Sequence, residues 1–195
     1  MIQIKSIKLK IMYKFKKAIL FGFTALTIAS CKPPNPSVVV APISNEFLTT
    51  TILNLQNIND AADKPTISYK LIGSNPAVVT PDTLRLKKNA VYNCTIVILD
   101  ETKTPVDTVS KVIAERENIH LFVFRPSINL TLTDSITDHD TNVPPLPFGL
   151  QSQMKTGTPS SGILEVILRH QPNVKNGTYA PGSTDLDVFY PVSIK

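Results

Sequence analysis

A run of acidic and amide side chains between residues 134 and 142 is the clearest candidate for chemistry in this sequence. Asp138, Asp140 and Asn142 alternate along the chain, so their oxygen atoms can converge on a hard cation such as Ca²⁺. Calcium loops of this type also need a glycine and a bidentate glutamate, yet no glycine follows Asn142 and Gly149 stands where the glutamate would be. The segment predicts either a weak calcium site or a polar loop whose side chains bond their own backbone.

The remaining reactive side chains of residues 45–195 are three histidines and one cysteine. His139 lies between two of the aspartates, where it is placed to join a metal site or to respond to pH. His120 and His170 belong to apolar runs, which favours a structural role for both. Cys94 also lies in an apolar run, which predicts a buried thiol, with pairing to another molecule's thiol as the alternative.

No catalytic motif is recognisable in the sequence. It contains no Gly-x-Ser-x-Gly, no His-Glu-x-x-His and no glycine-rich phosphate loop. Catalytic groups can still assemble from distant positions, so a hydrolase that joins His139 or His170 to a carboxylate and a hydroxyl stays an alternative. We expect a non-catalytic protein.

The N-terminal residues have the three parts of a lipoprotein signal. Lysines up to Lys17 precede an uncharged apolar run, and Ile28, Ala29 and Ser30 stand directly before Cys31. This order matches the lipobox of lipoprotein signal peptidase, for which the Cys31 sulfur accepts a diacylglycerol and cleavage frees the Cys31 amine. The apolar run of about 14 residues is shorter than the roughly 20 that span a bilayer. We therefore expect a signal peptide over residues 1–30 and a lipid anchor on Cys31.

Two further expectations concern this region. Met12 would begin a compact 19-residue signal, so either Met1 or Met12 is the start. Residues 31–44 carry four prolines, which prevent a helix and favour an extended tether. Lys32, rather than an aspartate, follows Cys31, which fits transfer to the outer membrane.

The charge is concentrated in the signal. The whole chain has a formal charge of +5, but residues 1–30 hold six lysines and no acid, leaving 14 basic and 15 acidic residues. Because phosphate binding needs clustered Lys and Arg, the mature chain is not expected to bind nucleic acid. With Cys31 acylated, Cys94 has no partner for an intramolecular disulfide.

Residues 45–195 are predicted to form one all-β domain, an immunoglobulin-like antiparallel β-sandwich of about seven or eight strands with one short helix. Short runs with period-two alternation are separated by polar turns rich in proline. The candidate strands are Glu46–Leu55, Thr66–Ile72, Thr83–Lys88, Val91–Leu99, Ile119–Arg125, Ile128–Thr133, Phe148–Met154, Gly162–His170 and Leu186–Ile194.

Three local features refine this prediction. Lys88 and Asn89 indicate a two-residue turn in a hairpin over Leu84–Leu99. The spacing of apolar residues over Thr108–Glu117 predicts a helix across one end of the sandwich. Pro191 requires that the last strand lie at an edge or a bulge.

Two stretches of the mature domain resemble a known group of proteins. They are Asn45-Glu-Phe-Leu-Thr-Thr and the motif Ser-Gly-x-Leu-x-Val-x-Leu-Arg-His-Gln-Pro-Asn that ends at Asn173, followed by Thr-Asp-Leu-Asp-Val-x-Tyr-Pro-Val from Thr184. The chain resembles short, uncharacterised β-rich lipoproteins of the Bacteroidota, some of which are labelled type 1 periplasmic binding fold. That fold alternates helices with parallel strands, so its label is not carried over to this domain. The group's glycine- and aspartate-rich loop after the second strand is replaced here by Leu71-Ile-Gly-Ser-Asn-Pro.

The resemblance implies a cell-envelope location in a Gram-negative bacterium. Together with the lipobox, it predicts an outer-membrane lipoprotein that faces the periplasm rather than the cell surface. The expected function is binding of a protein or glycan partner through the loops of the sandwich. An envelope hydrolase and a calcium-stabilised structural module are the alternatives.

Overall fold

The computed structural model describes residues 47–71 and 82–195, which form nine strands, one α-helix and one 3₁₀ helix. Within these ranges no helix has both the length and the apolar character needed to cross a membrane. The elements are β1 (Thr50–Asn57), β2 (Thr66–Lys70), β3 (Leu84–Leu86), β4 (Val91–Leu99), α1 (Val109–Glu115), the 3₁₀ helix (Glu117–Ile119), β5 (His120–Pro126), β6 (Leu132–Ile136), β7 (Gln151–Thr156), β8 (Ser160–His170) and β9 (Ser183–Ile194).

The strands form two sheets that pack face to face around one core. The first sheet has the order β2-β1-β4-β7-β6 and is antiparallel throughout, and the second has the order β3-β9-β8-β5 with a single parallel pair, β3 and β9. The Tyr190 hydroxyl, on the second sheet, donates a hydrogen bond to the Thr51 carbonyl of the first at 3.1 Å. The inward side chains of both sheets form one buried cluster, which includes Leu53, Tyr92, Ile96, Ile98, Met154, Phe122, Leu164, Val166, Val188 and Tyr190. The predicted all-β sandwich is confirmed.

The alternating runs predict the inward faces correctly. Along β9, Leu186, Val188, Tyr190, Val192 and Ile194 are all buried, and the residues between them lie on the outer face. Each inward side chain leaves water for the core, which contributes roughly 1.5–3 kcal/mol per large apolar residue. Because successive side chains of a strand point to opposite faces of the sheet, the alternation in the sequence predicts both this strand and its inward face.

The predicted hairpin over Leu84–Leu99 is wrong, although its turn is correct. Asn89 has a positive φ of +52°, as the two-residue turn requires. However, β3 pairs with β9, whereas β4 pairs with β1 and β7, so the chain crosses from one sheet to the other at this turn. The physical reason is that both strands bury their apolar side chains in the same core from opposite sides.

The strands β6 and β7 begin later than predicted. Residues 128–131 form a turn, in which the Leu130 amide donates to the Ser127 carbonyl at 2.9 Å and Ile128 is fully exposed, so β6 begins only at Leu132. Phe148 precedes β7 rather than opening it, because its carbonyl accepts a hydrogen bond from the Phe122 amide of the other sheet at 2.7 Å. Each of the nine strands overlaps one of the nine candidate strands, so the estimate of about seven or eight was slightly low.

The positions of α1 and β9 agree with the predictions from the sequence in most respects. Val109 and Ile113 bury the inward face of α1, which packs near β4, but the Thr108 side chain makes no capping hydrogen bond. The strand β3 pairs with β9 only at Val192–Ile194, so at Pro191 the one described neighbour of β9 is β8. β9 is thus an inner strand of its sheet rather than the predicted edge strand, but the missing amide proton of Pro191 lies beside a position that has no second partner strand among the described residues.

Candidate functional site

Three connecting segments meet at one end of the sandwich. Residues 117–119 lead into β5, residues 137–150 connect β6 to β7, and residues 171–182 connect β8 to β9. The pairing of His120 with His170 places the start of β5 beside the end of β8, and so brings these segments together. We call these three segments the loop end.

A cleft of about 540 Å³ opens between the three segments of the loop end. Clefts of roughly 300–1,000 Å³ are typical of binding sites for small ligands and short segments. Amide side chains and apolar side chains share the lining, and Val143 on its rim is 98% exposed. The lining residues are Asn118, Ile119, Asn142, Val143, Pro144, Leu146, Asn173 and Lys175.

A buried ion pair ties the three segments to one another. The Lys175 ammonium lies 2.7 Å from Asp140 Oδ2 and donates to the Glu117 carbonyl at 2.8 Å. The side chains of Lys175 and Asp140 are 2% and 0% exposed, so water screens neither charge. Each of the three groups comes from a different segment of the loop end, and the ion pair therefore fixes the shape of the cleft.

Asp140 also organises its own loop by accepting hydrogen bonds. Its Oδ1 accepts from the backbone amides of Asn142 at 3.1 Å and Leu146 at 2.8 Å, and its Oδ2 accepts from Asn142 Nδ2 at 2.8 Å. Burial alone would raise the pKa of Asp140, but the Lys175 ammonium and these donors outweigh it and hold the pKa below its ordinary value. The carboxylate is therefore ionised at neutral pH.

Of the three residues predicted for a calcium site, Asp138 and Asp140 already accept hydrogen bonds from donors of the chain itself, whereas Asn142 serves as a donor. Asp138 accepts hydrogen bonds from the amides of Gly149 at 2.7 Å and Gln151 at 2.9 Å, and Asn142 Nδ2 donates to the Asn118 carbonyl at 3.3 Å. In residues 47–71 and 82–195 no group of three or more His, Cys, Asp or Glu side chains has the arrangement of a metal site. The segment thus has the polar-loop structure that was the alternative, and calcium binding stays a prediction.

Gly149 stands at its position for a steric reason rather than in place of a ligand. Its φ is +90°, and a Cβ atom there would lie 2.9 Å from the Cβ and the carbonyl oxygen of Phe122. A glutamate at this position would strain the backbone and clash with β5.

The histidines divide into one exposed residue and one stacked pair. His139 is exposed, and its backbone forms a bridge with Pro147. The rings of His120 and His170 stack with centroids 5.1 Å apart, a contact that sequence reasoning missed because it depends on the register of β5 against β8. Burial lowers the pKa of His120 to about 4, so its ring is neutral at physiological pH.

Cys94 is buried, as predicted, at 2% exposure. Burial raises the pKa of its thiol to about 12, so the nucleophilic thiolate does not form near neutral pH.

Asp134 is a carboxylate that the sequence did not identify as unusual. It lies on the inward side of β6, beside a cavity of about 420 Å³ that runs along β5, and its Oδ1 is buried without a hydrogen-bond partner. Burial raises the pKa of Asp134 to about 6.

The residues of the predicted lipidation signal, Ile28, Ala29, Ser30 and Cys31, lie outside the described residues. Lipid attachment at Cys31 therefore stays a prediction.

Comparisons with known protein families, with curated proteins and with solved structures found no match to this chain.

Replacing Lys175 with methionine is expected to destabilise the protein. The substitution keeps the aliphatic stem but leaves the Asp140 carboxylate buried without its cation, a loss of about 3–5 kcal/mol in the free energy of unfolding. Denaturant unfolding of wild type and K175M measures this difference. K155M, which changes an exposed lysine on β7, is the control and should stay within about 0.5 kcal/mol of wild type. Equal stabilities for K175M and K155M would show that the ion pair does not hold the loop end.

Replacing Asp134 with asparagine is expected to change the pH dependence of stability. A folded-state pKa of about 6, above the ordinary value of 3.8, means that wild type loses stability as the pH rises through this interval. D134N removes the charge and should be more stable than wild type at pH 8, by on the order of 1–2 kcal/mol, with little or no gain at pH 4. Thermal unfolding at both pH values tests this. The control is D187N, which removes an exposed carboxylate on β9 and should raise the stability at pH 8 by less than D134N does.

Proposed function

We propose that this protein is a non-catalytic, lipid-anchored binding module of a Gram-negative cell envelope, and that its loop-end cleft binds an extended segment of a partner protein. The observation that carries this proposal is the cleft itself, whose three segments are held together by the buried pair of Asp140 and Lys175. A site held in one shape before binding loses less conformational entropy when its ligand arrives.

The polar atoms of the cleft suit a peptide backbone. Asn118 Oδ1 already accepts from Thr141, and Asn142 Nδ2 already donates to Asp140, but Asn118 Nδ2 and Asn142 Oδ1 bond to nothing within the described residues. One free donor and one free acceptor match the carbonyl and the amide of an extended segment.

The remaining lining favours uncharged, apolar ligand side chains. Ile119, Val143, Pro144 and Leu146 supply apolar surface, and Lys175, the one charged residue among the described lining residues, is already neutralised by Asp140. None of the described lining residues is aromatic, so the cleft offers no ring on which a sugar could stack. We therefore favour a protein partner over a glycan.

The anchor is supported by the order of residues at the N-terminus. A basic start, a short apolar run and Ile28-Ala29-Ser30-Cys31 together predict acylation of Cys31, and the proline-containing residues 31–44 then lead to the folded domain. A periplasm-facing outer-membrane location fits a module that captures a neighbouring envelope protein. An envelope hydrolase and a calcium-stabilised module stay alternatives.

Peptide binding can be tested with full-length protein purified in detergent. A library of displayed uncharged peptides should yield binders, and V143D, which places a charge on the exposed rim, should weaken their binding at least tenfold in Kd. I128D is the matched control, because Ile128 is an equally exposed apolar residue in a turn outside the cleft. Equal loss in V143D and I128D, or selection of glycans instead of peptides on an array, would contradict the proposal.

The lipid anchor can be tested by intact mass and membrane fractionation after expression in a Gram-negative host. Wild type should carry the added mass of its acyl chains and sediment with membranes, whereas C31A should not be acylated. C94A is the control for a thiol substitution and should behave as wild type. Release of wild-type protein without lipid would refute the anchor while leaving the cleft proposal intact.

A further inference from the structure

The sandwich is open along one side, between β5 and β6. β6 is the last strand of the first sheet and β5 the last strand of the second, and within the described residues these two strands do not pair with each other. The cavity of about 420 Å³ beside Asp134 lies in this opening. We call it the side cavity. It shares no described lining residue with the loop-end cleft, so the proposed binding of a peptide does not account for it.

Most of the lining of the side cavity is apolar. Phe122 is completely buried, Phe124 and Ile136 are half-buried, and Tyr179 is 38% exposed, so the cavity extends from the core to solvent. Cavities of roughly 300–1,000 Å³ with such a lining are typical of sites for small organic ligands, in which a few polar groups orient the ligand.

Asp134 is the one charged residue among the described residues of this lining. It lies on the inward side of β6, and its Oδ1 is buried without a hydrogen-bond partner. Burial raises the pKa of Asp134 to about 6; Ser152 acts against this, but no positively charged side chain in the described part of the chain lowers the pKa. The carboxylate is therefore largely ionised at physiological pH and lacks a counter-ion.

The two arginines next to the side cavity are engaged elsewhere. The guanidinium groups of Arg125 and Arg169 lie over the ring of Tyr179, 3.8 Å and 4.5 Å from its centroid. Arg125 also lies 3.8 Å from Glu165 Oε2, and Arg169 donates a hydrogen bond to the Gly182 carbonyl at 2.6 Å. These contacts hold the aromatic wall in place and leave the charge of Asp134 unpaired. A buried charge without a partner is unfavourable, so a cation that enters the cavity gains a strong interaction.

We propose that the side cavity binds a small organic amine, whose ammonium group pairs with Asp134 and whose apolar body packs against Phe122, Phe124 and Ile136. A primary ammonium supplies both the positive charge and the hydrogen-bond donor that Asp134 Oδ1 lacks. A neutral apolar ligand would fill the same space but would leave this carboxylate unpaired.

The width of the apolar lining favours a free amine over a lysine side chain of a partner protein. A lysine has one narrow hydrocarbon chain, which would leave much of the wall formed by Phe122, Phe124 and Tyr179 in contact with water. A compact ring covers more of this wall and removes more apolar surface from water. The expected ligand therefore carries a ring or a branched hydrocarbon next to its ammonium group.

NMR titration of the full-length protein in detergent micelles tests the proposal. Phenethylamine combines an aromatic ring with a primary ammonium, and phenethyl alcohol is its neutral counterpart of nearly the same shape. Wild type should bind the amine at least tenfold more tightly than the alcohol. The amide signals of Phe124, Asp134 and Gly177 should shift as the amine is added, whereas those of Asn142 and Val143 in the loop-end cleft should not.

The variant D134N separates charge from shape. Asparagine has nearly the size of aspartate but no charge, so D134N should bind phenethylamine at least tenfold more weakly than wild type, and should bind phenethyl alcohol with little change. D187N is the matched control, because Asp187 is an exposed carboxylate on the outer face of β9, and it should bind the amine as wild type does.

Four results would overturn the proposal. They are absence of amine binding by wild type, equal affinity of wild type for the amine and the alcohol, unchanged amine binding in D134N, and signal shifts confined to the loop end. Tighter binding of Nα-acetyl-lysine amide than of phenethylamine would show that the cavity takes a protein side chain, and would equally overturn the assignment to a free amine.

Discussion

The loop end depends on one interaction, the buried ion pair between Asp140 and Lys175. Neither charge reaches water, so each requires the other, and the ammonium uses a further hydrogen bond to hold the Glu117 carbonyl. Asp140 in turn holds the amides of Asn142 and Leu146. Three segments that are far apart in the sequence thus form one cleft whose shape is set before a ligand binds.

The strands of the sandwich hold the ends of these segments in place. The strands β5, β8 and β9 are neighbours in one sheet, and the two connections they make at this end come close together for that reason. The Phe122–Phe148 backbone bond then joins the longest connection to the second sheet. Function in such a fold is expected in the loops, because the core residues of both sheets are used for packing.

Much of the fold can be predicted from the sequence, because the alternation of apolar and polar side chains along a strand involves only neighbouring residues. The alternation along β4 and β9 predicts both strands and their inward faces, and Val109 with Ile113 predicts the buried side of α1. Strand pairing is not local, and so the turn at Asn89 was identified while the partners of β3 and β4 were not. The acidic loop was recognised as polar, but nothing in the sequence marks Lys175 as the partner of Asp140. The His120–His170 pair and the bulge at Asp185 depend on register in the same way, and register follows from the core as a whole.

Hydrogen–deuterium exchange of the wild-type protein tests most directly whether the loop end is a preformed site. If the ion pair holds it, the amides of Asn142 and Leu146, which donate to Asp140, should exchange as slowly as those in the centres of β5 and β8. The exposed turn at residues 128–131 gives the internal reference for fast exchange. Exchange of residues 140–146 at the rate of that turn would show that the cleft is not organised without its ligand, and would contradict the account.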